Sequence, residues 1–410
     1  MENSISTSLF DILYSVFSIL NIEHRTPNSE YRRKILQISG PLFFGLFIRC
    51  SAPQPTEAPL PTATQSTDTI GVQYARGFSV SYEQAYPVLR IHSSADTTRY
   101  LLLPRDVPQP DAPPVDFVIR TPVERLVVTS TTHLGMVALL NIRDRLVGIG
   151  RTSHVYDSAV RARAAQGFVQ EIGTEGNVNT ELVLSLQPDL VLVSAMPNEG
   201  LSPYQSLLNA GIPVIAIAEW QEAHPLGKAE WVKLLAVLTQ QEDVAERRFG
   251  DIASAYDSIA DRAQQAATPP AVITGSPFQG AWYVPGRNSY VGQLLRDAHA
   301  TWPGEDNTSA VSLPMSLETV YPFGLRADFW VNVGLQKDLN SLGEQDERLT
   351  DFRPFQQQTV YNYFRRTSEL GGSDYYESGT VRPDRVLADL VEIFHPDVLD
   401  HSLYYYQKLE

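Results

Sequence analysis

"TPVERLVVTSTTHLGMVALLNIRDRLVGIG" (residues 121–150) sets a pattern that returns in "NVNTELVLSLQPDLVLVSA" (177–195) and "YQSLLNAGIPVIAI" (204–217). Each contains a short run that is β-branched and apolar on both faces, such as Leu126–Val128 or residues 190–193. Helical segments separate the runs. Strands that alternate apolar and polar expose one face; strands without alternation are covered on both, as in parallel sheets flanked by helices. Ligands of such sheets bind beyond the carboxyl ends of the strands. The polar clusters "STTH" (130–133), "GRTSH" (150–154) and "SAMPNEG" (194–200) fall at those ends.

Working outward, the chain divides into six parts. Residues 1–49 read as a signal or anchor segment: Arg32, Arg33 and Lys34 precede the mostly apolar run "ILQISGPLFFGLFI", too short for a standard membrane span. Residues 50–72 begin at Cys50 and continue as a Pro- and Thr-rich flexible tether. Residues 73–120 are β-rich, with hairpin punctuation. Residues 121–242 form an N-terminal α/β lobe and 268–410 a C-terminal one. Between them, 243–267 predict one long helix, with Phe249, Ile252, Tyr256, Ile259 and Ala263 along a single face. The fold class is therefore α/β: two lobes with central, mostly parallel sheets, joined by one long helix, with a ligand cleft between them.

Net charge is −15 over 410 residues. The first 49 residues carry +1, so the remainder is strongly acidic, has no basic stripe, and is a poor nucleic-acid binder. The one cysteine excludes an intrachain disulfide, a CxxC zinc site and a cysteinyl cluster. A basic segment, a short apolar run, cysteine and a polar tether resemble a bacterial lipoprotein signal, with Cys50 as the acylated residue. Arg49 departs from the small residue usual before that cysteine.

"RLVVTSTTHLGMVALL", "NTELVLSLQPDLVLV", "WYVPGRNSYVGQLLRDA", "SLETVYPFGLRADFWVN" and "RPDRVLADLVEIFHPDVL", in this order and spacing, resemble the periplasmic binding proteins of the iron-siderophore, haem and cobalamin type. These are the substrate receptors of ABC importers. "EAHPLGKAEW" and "SDYYESG" resemble a lipoprotein branch of that family found in Bacteroidetes-like bacteria. The resemblance implies a binding protein rather than an enzyme, with no resident cofactor. Its partners are an ABC permease with its ATPase and a small-molecule metal chelate. It resides in the periplasm, tethered by lipid at Cys50. By motif position, Glu181 and Glu318 are implied as the surface carboxylates that pair with permease arginines. Where cobalamin receptors carry further aromatics, this chain has Glu175 and Met315, which favours a ferric siderophore over cobalamin; haem ligation by Tyr or His stays open.

The cleft candidates follow from the strand ends. In the first lobe, Ser130, Thr131, Thr132 and His133 stand at a helix start, where one is expected to cap and another to face the cleft. Arg151, Ser153 and His154 follow the second strand, Asn198 and Glu199 the third, and Glu219, Trp220 and His224 the fourth. His133, His154 and His224 would form a metal-ligand set with Glu219 if their loops converge; helix capping or a carbonyl contact is the other reading for each. In the second lobe, Trp282 and Tyr283 are expected to cover a flat ligand and Arg287 to meet carboxylate or catecholate oxygens. Core packing is the other reading for Trp282. Arg365, Arg366 and Tyr375 are the later candidates. Two further classes stay open on the residues alone: a metal-dependent enzyme, although GxSxG and GxxxxGK[ST] motifs are missing, and a tethered sensor or scaffold.

Overall fold

The computed structural model describes residues 71–83, 86–93, 96–110, 115–174, 176–195 and 200–410. The signal, Cys50, nearly all of the tether, Glu175, Asn198 and Glu199 lie outside the described residues.

The β-rich segment is a four-stranded sheet of β1 (Phe78–Glu83), β2 (Tyr86–His92), β3 (Thr97–Pro104) and β4 (Phe117–Thr121), in that order. The first three strands are antiparallel and β4 runs parallel to β3. Alternation selects the inner face. Phe78, Val80, Leu89, Ile91, Tyr100, Leu102 and Ile119 join the main core, and the Tyr100 hydroxyl donates to Val214 O at 2.8 Å. Ser79, Ser81, Glu83, Arg90 and His92 lie on the other face and bond among themselves.

The N-terminal lobe is built on β5 (Leu126–Val128), β6 (Leu146–Ile149), β7 (Gln170–Glu171), β10 (Leu190–Ser194) and β11 (Val214–Ile217), with a two-stranded hairpin of β8 (Gly173–Thr174) and β9 (Asn177–Val178) beside it. Its sheet order is β11-β10-β5-β6-β7, all parallel. Every residue of β5 and of β10 is buried, as their unbroken apolar runs require. The C-terminal lobe has β12 (Val272–Thr274), β16 (Phe329–Val331) and β17 (Val360–Asn362) parallel, with β18 (Gln407–Lys408) antiparallel at the edge. A separate antiparallel sheet of β13 (Pro277–Phe278), β14 (Ala281–Pro285) and β15 (Ser312–Met315) lies beside it.

The linking helix spans Glu242–Ala263, about 33 Å at 1.5 Å per residue. Glu242 and Asp243 in its first turn and Arg262 in its last suit the macrodipole. Ala245, Phe249, Ile252, Tyr256 and Ala263 form its buried face, which the spacing predicts. Its end falls four residues before 267. Pro269 and Pro270 supply no N–H, and Thr268, preceding a proline, is turned away from helical geometry, so residues 264–267 close the helix as turns.

One feature of the packing follows from charge rather than from apolar pattern. The helices Pro225–Glu230 and Val232–Thr239 are buried along their whole length, including Lys228, Glu230 and Lys233. The Glu230 carboxylate accepts the backbone N–H groups of Gln73 (2.9 Å), Tyr74 (2.6 Å) and Ala75 (2.8 Å). Glu222 accepts those of Arg76 and Gly77, both at 2.9 Å, and the Trp231 indole N–H at 2.9 Å. Lys233 closes the arrangement on Glu230 at 3.1 Å and on Gly71 O at 2.7 Å. Two carboxylates thus hold five consecutive amides that have no sheet partner. Truncating a buried acceptor leaves its donors without water or protein. Glu230→Ala is expected to lower unfolding free energy by about 3 kcal/mol in urea titration and to release the 73–75 amides to hydrogen exchange. Exposed Glu246→Ala, which removes the outer partner of Lys233, should change it by under about 1 kcal/mol. Equal effects of the two substitutions would refute this role for Glu230.

Candidate functional site

The carboxyl ends of β5, β6, β10 and β11 point to the side on which the segment after β17 crosses from the C-terminal lobe. Their loops meet there. The Glu377 carboxylate in the C-terminal lobe accepts the backbone N–H of Tyr156 and, at 3.0 Å, that of Asp157. Lys228 of the N-terminal lobe lies over the Tyr290 ring, 5.2 Å from its centroid.

The chemical centre of this boundary follows β11. Glu219 is 1 % exposed, and one of its carboxyl oxygens has no hydrogen-bond partner. Burial pushes its carboxyl above the usual range, while the Lys228 charge and a Thr132 hydrogen bond oppose that rise. Burial likewise draws the Lys228 ammonium down, opposed by Glu219. Desolvation therefore drives both groups towards their neutral forms and their attraction resists it. The Thr132 hydroxyl stands between Glu219 and Ser130 Oγ, 3.1 Å away. Ser130 occupies the N-cap position of helix Thr131–Leu140 without a side-chain cap, so the capping expectation is corrected: Thr132 serves the carboxyl, and no hydroxyl caps the helix. Trp220 is half-buried and donates its indole N–H to Ala195 O at 3.2 Å, joining the β10 and β11 ends.

Arg151 and His154 are half-buried on the loop after β6, where the Thr152 hydrogen bond first and the Arg151 charge after it hold the Glu171 carboxyl below its usual range. Thr152 binds the Glu171 carboxylate through N–H at 3.0 Å and hydroxyl at 2.6 Å.

The histidines do not converge. Among the described residues no group of three His, Cys, Asp or Glu is placed to hold a metal ion. His133 faces the core, fully buried, with both ring nitrogens unpartnered; burial pushes it down to about 3, so it is a neutral imidazole. His224 caps helix Pro225–Glu230 by accepting Leu226 N–H on Nδ1 at 3.1 Å. Its ring lies 5.1 Å from Tyr74 and 6.1 Å from Tyr256 of the linking helix, at the joint between N-terminal segment and strut. Helix and strand periodicity decide which face a residue takes, and the spacing of strand ends alone does not.

In the C-terminal lobe, Trp282 is also core. On β14 it alternates inward with Val284, packs 5.8 Å from Trp330 and 5.9 Å from Phe352, and donates to Thr274 O at 2.9 Å. Tyr283 takes the opposite, half-buried face. Arg287 and Arg365 are exposed. Arg366 pairs with Asp374 at 2.5 Å and stacks on Tyr404 at 4.2 Å, and Tyr375 is buried.

Tyr375 belongs to a cluster that sequence reading missed. Its ring stacks on Tyr363 at 4.4 Å, Tyr376 bonds Tyr363 hydroxyl to hydroxyl at 3.0 Å, and Tyr406 donates to Asn332 Oδ1 at 2.7 Å. Burial raises all four phenols, Tyr363 to about 12 and the others further. Asp389 holds the C-terminal segment in place by accepting the Tyr404, Tyr405 and Tyr406 amides at 2.7, 2.6 and 2.9 Å, with His401 Nε2 2.6 Å from Oδ1, the oxygen that also takes the Tyr404 amide. "YYYQ" at 404–407 was the available signal, since three consecutive tyrosines near a chain end are not explained by amphipathic periodicity.

Glu181 and Glu318 are both exposed and both second in a capped helix: Asn179 caps Thr180–Leu186, and Ser316 caps Leu317–Gly324. Glu318 accepts Arg348 at 3.0 Å.

Two α/β lobes joined by a single linking helix thus meet at a polar boundary at the carboxyl ends of the N-terminal lobe's strands. Residues 126–318 match the family model described as periplasmic binding protein, a match that runs from the first strand of the N-terminal lobe's sheet into the C-terminal lobe. An uncharacterized lipoprotein of Methanocaldococcus jannaschii is 24% identical over 290 residues, covering 68% of this chain and 67% of the relative. The uncharacterized ABC transporter substrate-binding lipoprotein YvrC of Bacillus subtilis is 24% identical over 207 residues, 50% of this chain and 62% of that protein. In fold the chain is similar to a possible iron-binding (periplasmic solute-binding) protein of Staphylococcus epidermidis (TM-score 0.53, 16% identity, 67% of this chain and all of that one). It is also similar to a periplasmic heme binding protein of Pseudomonas aeruginosa (TM-score 0.52, 20% identity, 70% and 98%). The family is a solute-binding one, and the matched relatives include lipoproteins. Among the described residues no helix is long and apolar enough to cross a membrane.

The depressed His133 makes a pH prediction. The unfolded chain takes up that proton near 6.5 and the folded chain only near 3. Its contribution to stability is therefore complete above pH 6.5 and is lost as pH falls towards 3, by up to about 1.4 kcal/mol per pH unit. Urea unfolding at pH 7 and pH 5 should show a smaller loss for His133→Leu than for the parent protein; identical losses would place the imidazole in water.

Proposed function

We propose that the protein is a membrane-tethered substrate-binding lipoprotein of an ABC importer, which captures an iron complex, a ferric siderophore foremost, and hands it to the permease. The observation that carries this reading is the buried Glu219 carboxyl just after β11, on the lobe boundary, with one of its oxygens left unpartnered and the buried Lys228 close enough to act on it electrostatically. A buried polar group without a partner costs free energy that a ligand donor can recover. Arg151, His154, Trp220 and Tyr283, on loops or strands of the same two lobes, supply the polar and aromatic contacts that orient a chelate.

The histidines favour a cargo whose iron is already chelated over a bare ion, since His133 is spent on the core and His224 on a helix cap. Haem is the second reading. The similarity in fold to a protein named for heme binding supports it, whereas the raised tyrosines oppose it, because a phenolate ligand must first lose its proton.

For delivery, Glu181 and Glu318 are the proposed permease contacts. The exposed Arg348 pair of Glu318 is worth little in water, so an arginine of the permease can replace it at small cost. Anchoring through Cys50 would keep receptor and permease at high effective concentration.

Fluorescence titration of the purified protein with ferric hydroxamates, ferric catecholates, haemin and cyanocobalamin tests the reading, with absorption by the ligands corrected. Trp220 should report occupancy, whereas core Trp282 and Trp330 should not. Saturable quenching at submicromolar concentration by one class is expected, and Glu219→Gln should weaken it roughly tenfold, about 1.4 kcal/mol. No saturable response to any class, from protein with a native circular dichroism spectrum, would refute an iron-chelate receptor. Separately, Glu181→Ala and Glu318→Ala should each reduce uptake through the importer while leaving ligand affinity unchanged; unchanged uptake in the double variant would remove the docking assignment.

A further inference from the structure

The segment after β17, residues 363–381, leaves the C-terminal sheet and lies against the N-terminal lobe. It does so through backbone contacts that tolerate little change. A methyl group at Gly135, on the N-terminal lobe's first helix, would overlap the Glu377 carbonyl. One at Gly372 would overlap the carbonyls of His154 and Val155. Both close approaches are possible because these positions lack a Cβ.

Within this contact Glu377 is the polar fixture. Its side chain is 3 % exposed, and its two oxygens take the amides of Tyr156 and Asp157 from the opposite lobe. Asp157 in turn caps helix Ser158–Ala165 through Ala159 N–H (2.9 Å) and Val160 N–H (3.2 Å) and pairs with Arg143 at 2.6 Å. Arg366 of the crossing segment lies over the Tyr156 ring at 5.1 Å. A crevice of about 250 Å³ remains between the lobes here, lined by Arg143, Tyr156, Asp157, Arg366, Asp374 and Glu377 among others.

Glu377 therefore grips the loop that carries Arg151 and His154. That loop is held at its start by Glu171 of its own lobe, through Thr152, and at its end by a carboxylate of the other lobe. The position of its side chains depends on both lobes at once. We propose that Glu377 is a positioning residue for ligand capture: from the C-terminal lobe it fixes the loop that carries Arg151 and His154 in the N-terminal lobe, so that this loop takes its binding geometry only while the crossing segment is docked. This rests on the reading of residues 151–154 as ligand contacts, but the latch itself does not.

A bond of this kind also gives the receptor a means of signalling occupancy. A ligand that pulls on Arg151 or His154 pulls on the opposite lobe through two hydrogen bonds, and so shifts the lobes that present Glu181 and Glu318. Such coupling requires that the crossing segment have a second, undocked arrangement which both sites bias, and the Glu377 substitutions test for it.

The experiment uses the full chain with Glu377→Ala and Glu377→Gln. The alanine removes both acceptors, whereas the glutamine keeps one and turns an N–H towards the other amide. Hydrogen exchange followed by mass spectrometry should find the peptide containing Tyr156 and Asp157 accelerated at least tenfold in both variants, with the β5 and β10 peptides unchanged. In a Cys50→Ser background, spin labels on Ser185→Cys and Arg326→Cys, both at exposed positions, should show a broader interlobe distance distribution in both variants. Affinity for whichever probe of the chelate and haemin panel the parent binds should fall roughly tenfold. Unchanged exchange at 156–157 and an unchanged distance distribution would overturn the latch. Acceleration spread evenly over the core would overturn it too, leaving Glu377 a residue that only stabilises the fold. If the parent binds no member of the panel, the chelate reading fails, and the exchange and distance results still decide the latch.

Discussion

Backbone amides that leave regular structure and enter the interior must find an acceptor, and in this molecule buried carboxylates provide it. Glu230 and Glu222 take five consecutive amides of the N-terminal segment. Asp389 takes three near the C-terminus. Glu377 takes two across the lobe boundary. Each acceptor lies within or beside a helix whose apolar face fixes it, so the irregular segment inherits the precision of the helix. Where such an acceptor is ionised, each hydrogen bond is stronger than one to a carbonyl; burial opposes that at Glu377, whose carboxyl it pushes up to about 8. The cost is concentrated as well: loss of one side chain strands several donors together.

The same contacts shape the lobe boundary. A single helix joins the lobes, and the N-terminal segment packs against it where Tyr74 meets His224 and Phe249. Across the boundary, the crossing segment approaches closely enough that two glycines are required. What is left for a ligand is therefore a set of loops at strand ends, held by neighbours in both lobes, rather than two open jaws. The ionisable pair Glu219–Lys228 sits beside these loops, kept from water by the packing that aligns it.

Much of this was legible before any coordinates. The unbroken apolar runs of β5 and β10 give parallel strands, and the three-and-four spacing from Phe249 to Ala263 gives the strut. Strand ends correctly place Thr132, Arg151, His154, Glu219 and Trp220 in or beside loops at one end of the sheet. The direction of a side chain within its element was less accessible. Position in the chain leaves Trp282 open between ligand loop and core, and it lies on the inward face of a central strand; the strand end suggests His133 for the cleft, although in helix Thr131–Leu140 it is fully buried. Lys228, Glu230 and Lys233 look like the solvent face of an amphipathic helix, yet all three are buried: the N-terminal segment covers Glu230 and Lys233, and Lys228 lies against Tyr290 at the lobe boundary.

Sequence by itself determined the layers, the strand directions and the strut. Those depend on local periodicity and on turn chemistry, which act over a few residues and survive without knowledge of partners. The tertiary structure alone decided which charged groups are buried and what they hold. Glu377 and Tyr156 are 221 residues apart, and Gln73 and Glu230 are 157 apart. No local pattern records a hydrogen bond between a carboxylate and a backbone amide so distant, because every residue but proline offers the same N–H, and only the packed fold says which of them arrives.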